Sequence, residues 1–155
     1  MGAQPNKVKY HAGKTALGAS GLTQVFDKAN AVSDRTGPGG HEVLLVTGGD
    51  CATIIDGILF HAKETNAACC ILIWYHNFDA NIDILIGDIA VAANTASATA
   101  AGKEVVWVPP IKQFVIEAGD YISFETTGSL SDWFGTIVGG HLDVADNEPG
   151  QTHPL

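Results

Sequence analysis

Gln113-Phe114-Val115-Ile116-Glu117-Ala118-Gly119-Asp120-Tyr121-Ile122-Ser123-Phe124-Glu125-Thr126 is the stretch that decides the fold class. Successive side chains of an extended chain point to opposite faces, so Phe114 and Ile116 share one side. Ile122 and Phe124 then alternate with Ser123 and Glu125. Apolar residues at a period of two mark a half-buried strand. Ala118-Gly119-Asp120 between the two runs carries the turn chemistry of glycine and aspartate. The stretch therefore reads as a β-hairpin, with Ser123 and Glu125 on a wet face.

The same rhythm continues outward. Strands are predicted at Glu42–Val46, Thr53–His61, Cys69–His76, Ile82–Val91, Glu104–Val108, Gln113–Glu117, Tyr121–Thr126 and Phe134–Val144. Asp56-Gly57 interrupts the second of these and predicts a bulge. Pro109-Pro110 breaks the chain after the fifth, and an Ala/Thr/Ser-rich linker runs from Ala92 to Gly102. No part of the body has the pattern of a long helix. The fold class is all-β: an antiparallel, jelly-roll-like β-sandwich of about eight strands with an extended N-terminal arm.

Three of these strands, Thr53–His61, Cys69–His76 and Ile82–Val91, are apolar on both faces. An antiparallel sheet with one wet side shows clean alternation instead. The second face therefore needs a cover, either the N-terminal arm or another subunit. Charged residues make up only 16% of the 155-residue chain, and that scarcity favours a subunit.

Residues 1–40 form the arm, 41–145 the sandwich domain and 146–155 a loose tail. The arm is rich in Gly, Ser, Thr and Asn and poor in apolar residues. Leu22, Val25, Phe26 and Ala29 fit a short amphipathic helix, while Leu22–Phe26 fits a strand equally well. Ordering so long an arm costs conformational entropy that a neighbouring chain could offset. The start of the chain lacks the apolar core of a secretory signal, and no apolar run is long enough to span a membrane. A net charge of −9 argues against a nucleic-acid partner, which needs a basic footprint. Cys51, Cys69 and Cys70 have no framework spacing and read as reduced thiols.

Catalytic patterns are weak, and the chain reads as non-enzymatic, with no cofactor and no metal. The six histidines include no His-x-His pair. A two-His-one-carboxylate site could be drawn only from His61, His76, Glu64 and Asp79. No serine sits in a Gly-x-Ser-x-Gly elbow, and Gly37-Pro38-Gly39-Gly40 lacks the Lys-Ser/Thr of a phosphate loop. Asp79, Asn81 and Asp83 suit a polar hairpin turn better than a calcium loop or a carboxylate pair. Aromatic residues remain as candidates for contact: Trp74, Tyr75, Trp107, Trp133 and Phe134 in the body, joined by Val25 and Phe26 in the arm. Each could anchor an interface or a sugar, although core packing is the ordinary use of such rings.

The order of signals is the last clue. Ile54-Ile55-Asp56-Gly57-Ile58-Leu59-Phe60-His61-Ala62 is followed by Cys70-Ile71-Leu72-Ile73-Trp74-Tyr75-His76-Asn77, then by Ile84-Leu85-Ile86-Gly87-Asp88-Ile89-Ala90-Val91. Phe114 to Phe124 and Ile137-Val138-Gly139-Gly140-His141-Leu142 close the series. From Glu42 to Asp143 the pattern resembles small β-sandwich virion proteins of tailed bacteriophages, most of all head decoration (cement) proteins. The resemblance implies a non-enzymatic homo-oligomer, usually a trimer, on the outer capsid surface. Its partners would be itself and the major capsid protein or other virion proteins, after synthesis in the host cytoplasm. The long arm and the two-faced strands depart from that pattern. They leave open a tail or neck protein, or a carbohydrate- or receptor-binding sandwich.

Overall fold

A computed structural model of the chain describes residues 7–10, 23–26, 35–39, 42–49, 52–112, 114–127 and 133–143. The body holds eight strands: β3 (Val43–Thr47), β4 (Thr53–Ala62), β5 (Cys69–Asn77), β6 (Ile82–Val91), β7 (Glu104–Trp107), β8 (Phe114–Ile116), β9 (Tyr121–Thr126) and β10 (Trp133–Asp143). Two short strands precede them, β1 (Lys7–Tyr10) and β2 (Thr23–Phe26). The described residues contain no helix. The choice left open at Leu22–Phe26 thus falls to a strand. The predicted tail lies outside the described residues.

All pairings are antiparallel, and the strands form two sheets. In the first sheet β10 pairs with β4, β1 and β2 line the free edge of β10, and β7 and β8 line the other edge of β4. The second sheet has the order β3-β9-β5-β6. Apolar residues from both meet in one core. Ile55, Ile58, Phe60, Trp107, Ile116, Trp133 and Ile137 come from the first sheet. Leu45, Ile71, Ile73, Val91, Ile122 and Phe124 come from the second. Phe60 and Phe124 join the sheets at 5.0 Å between ring centres. This is the sandwich that the alternating runs predict.

The stretch that announced the fold is built differently from its reading. β8 pairs with β4 in the first sheet, while β9 pairs with β3 and β5 in the second. Ala118-Gly119-Asp120 is therefore an arch between sheets, not a hairpin within one. Gly119 takes φ +90°, and the Phe78 ring comes within 3.1 Å of where a Cβ would be. Glycine alone adopts that backbone at little cost. Asp120, only 5% exposed, then ties the arch to its surroundings. Its carboxylate accepts from Tyr75 Oη at 2.7 Å, Phe78 N at 2.9 Å and Glu117 N at 3.2 Å.

The wet face expected on Ser123 and Glu125 is also absent. β9 lies between β3 and β5, and both residues are buried. Leu72 and Trp74 of β5 share their face, opposite Ile71 and Ile73, and are buried too. Glu125 accepts from Trp74 Nε1 at 2.9 Å and from Gly39 N at 3.2 Å. Arg35 meets Asp88 of β6 at 2.6 Å. The segment before β3 thus helps to cover the second face of β5, where another subunit was expected.

The bulge forms where Asp56-Gly57 placed it. Val138 of β10 pairs with Gly57 and Gly139 with Ile55, so Asp56 is the extra residue. Across the other edge of β4, β7 pairs with Ile58–His61 and β8 with Thr53–Ile55. The two short strands are one edge interrupted by the Pro109-Pro110 excursion. Proline has no N–H for the ladder, so the edge breaks there.

Candidate interaction surface

The aromatic candidates divide by burial. Trp133 is fully buried, Trp74 nearly so and Trp107 8% exposed. As the chain stands, none of these three offers a ring to a partner, because inter-sheet packing or the Glu125 hydrogen bond already uses it. Tyr75 is half-buried, packs edge-on against Phe114 at 5.7 Å and donates to Asp120. Phe134 is half-buried on the outer side of the first sheet. Register sets Val25 opposite Phe134 and Phe26 opposite Trp133, so the arm's candidates lie beside two of the body's.

The exposed apolar surface of the first sheet is aliphatic and was not singled out by sequence reading. Across the outer side of the first sheet, Thr136, Leu59 and Val106 form one cross-strand row. Phe134, His61 and Glu104 form the next. Val106 is 64% exposed, Val115 44% and Val138 39%. Val108 and Ile111 flank Pro109-Pro110 and are exposed as well. With Ile55, Asp56, Pro109 and Lys112 they line a shallow cleft of about 240 Å³. The available signal was local: Val106 and Val108 alternate with Trp107 just before a proline break. A short broken edge strand with one apolar face in the core leaves the other in water.

Phe78, Ile82 and Ile84 make a second exposed group, at the hairpin end of β6. Phe78 to Asn81 form the hairpin turn, closed by Ala80 N donating to Asn77 Oδ1 at 2.7 Å. Asn81 takes the left-handed conformation there, at φ +50°.

The two strand-end histidines are tied up locally. His76 Nδ1 is 2.8 Å from Asp83 Oδ1, and its ring stacks on Tyr121 at 4.4 Å. His61 lies 3.3 Å from Glu104 on the neighbouring strand. His61 is near the end of β4 and His76 near the end of β5, so the two stand at opposite ends of the sandwich. The two-His-one-carboxylate set is not assembled. Among the described residues no three His, Cys, Asp or Glu side chains are gathered as metal ligands would be.

Charge and burial set the remaining ionisations. Burial pushes the Asp120 carboxyl up, but hydrogen bonds from Tyr75, Phe78 N and Glu117 N, with His76 nearby, bring it net below the usual range. The Arg35 hydrogen bond holds the Asp88 carboxyl below that range. Burial, then the neighbouring Cys70, raises the Cys69 thiol. Both are free thiols, and Cys51 lies outside the described residues.

No family model matches the chain, and neither does any curated protein or solved structure.

Proposed function

We propose that the chain is a non-enzymatic structural protein of a tailed-phage virion, a head decoration protein that stabilises the capsid by binding its subunits as a symmetric oligomer. One observation carries this reading: the exposed aliphatic band of Val106, Val108, Ile111, Val115 and Val138 on the first sheet and its broken edge. Apolar bands of this kind mark contact surfaces, and here little polar chemistry accompanies them. Fully burying an exposed valine side chain is worth about 1.5–3 kcal/mol. These partly exposed residues each contribute a fraction of that, which symmetry multiplies. The order of strands and turns that resembles decoration proteins supplies the capsid as the partner and a trimer as the oligomer.

A tail or neck location uses the same surface and differs only in the partner. The carbohydrate-binding alternative is less well supported, because Trp74, Trp107 and Trp133 are buried. The test is co-sedimentation with heads that lack decoration. Wild-type protein should bind saturably and raise the temperature at which the heads release their contents. The Val106→Lys/Val115→Lys variant should keep its own melting temperature and lose binding. Full occupancy by that variant, or no binding by wild type, would overturn the reading.

A further inference from the structure

The four sheet edges are not equally protected. One edge of the first sheet is lined by β1 and β2, strands of four residues each. Its other edge is β7 and β8, interrupted at Pro109-Pro110. β3, at one edge of the second sheet, has five residues and a register shift between Leu44 and Val46. Shortness, proline and bulges are the ordinary ways in which a protein blunts an edge.

β6 is the exception. It has ten residues, Ile-Asp-Ile-Leu-Ile-Gly-Asp-Ile-Ala-Val, with no lysine, arginine or proline. β5 pairs with one side of it, and no described strand pairs with the other. Its one irregularity, at Ile86, leaves regular segments on both sides. A long apolar edge with unpaired main-chain groups is a template for another strand. Ile82 and Ile84 are 48% and 43% exposed beside it.

Charge indicates which strand fits. A chain of net charge −9 repels its own copies. At this edge the two carboxylates already have partners: Asp83 with His76 at 2.8 Å and Asp88 with Arg35 at 2.6 Å. A basic partner would find both carboxylates of β6 already in contact with other side chains, whereas full-length antiparallel pairing with an identical edge sets each Asp opposite an uncharged residue, Ala90 or Leu85. Antiparallel pairing of a strand with itself about a two-fold axis also matches length to length.

We propose that β6 is a self-pairing edge, through which two copies of this chain join their second sheets into one continuous eight-stranded sheet. The contact is isologous and closes on two chains. Where trimers form through other surfaces, it links a chain of one to a chain of another. It does not depend on the capsid reading, which uses the opposite sheet.

The test combines mass with hydrogen exchange on the full chain. Light scattering should give an even number of chains, and Ile82→Lys/Ile84→Lys should halve that mass. Both positions are exposed, and an unchanged melting profile of the variant checks that it folds. In wild type, the amides of Ile82–Val91 not bonded to β5 should be protected at high concentration and lose protection on dilution. Three results would each overturn the proposal: a single-chain mass for wild type, an oligomer whose mass the lysine pair leaves unchanged, or an oligomer in which those amides exchange freely.

Discussion

Asp120 concentrates most of what holds the inter-sheet arch. Its side chain takes three hydrogen bonds and its main chain two more, to Gly48 and Glu117. Hydrogen bonds to a charged group are worth about 1.5–3 kcal/mol each, and a buried partner left unsatisfied adds to the loss. Asp120→Asn should therefore cost about 2–3 kcal/mol at neutral pH, read by denaturant unfolding. The pH dependence follows from its lowered folded-state pKa. Its contribution is complete above the ordinary aspartate value of about 3.9 and is lost as pH falls through the lower folded value. The difference between wild type and Asp120→Asn should shrink over that acid window; a difference that stays constant there would assign Asp120 another role. Gly119→Ala, at φ +90° and against the Phe78 ring, should cost about 1–3 kcal/mol in the same measurement.

At the scale of elements, the existence of the strands was legible and their assignment to sheets was not. Alternation at Phe114–Ile116 and Tyr121–Phe124 identifies two strands whatever they pair with. Gly119-Asp120 suits a hairpin and an arch alike, and only the distant partners β4, β3 and β5 decide between them. The wet face assigned to Ser123 and Glu125 failed for a related reason. Nothing local in that strand reports that Trp74 will bond Glu125 or that Gly39 will reach it. Of the candidate contacts, the aromatics were conspicuous in sequence, yet their size draws them into the core. The exposed valines were inconspicuous, because valine serves buried and exposed strands equally. The Asp56 bulge was legible because Asp-Gly is a poor continuation of an apolar strand. Its importance can be measured. Deleting Asp56 removes the extra residue, so Val138–Gly57 and Gly139–Ile55 become consecutive pairs and Ile55 still faces the core. The deletion variant should therefore keep cooperative thermal unfolding; loss of a sharp transition would show that the strand pairing needs the bulge itself.

For the whole molecule, two exposed apolar regions stand apart: the valine band on the first sheet and the β6 edge of the second. One chain can thus contact a partner surface and a second copy at once, which suits a component that gains strength by multiplication. The central claim is that these surfaces exist for other protein chains. It is tested most directly by the mass of the purified protein in solution, measured by light scattering across a dilution series. The account predicts a stable mass of several chains that Ile82→Lys/Ile84→Lys reduces without unfolding the sandwich. A single-chain mass at every concentration, unchanged in that variant, would contradict it.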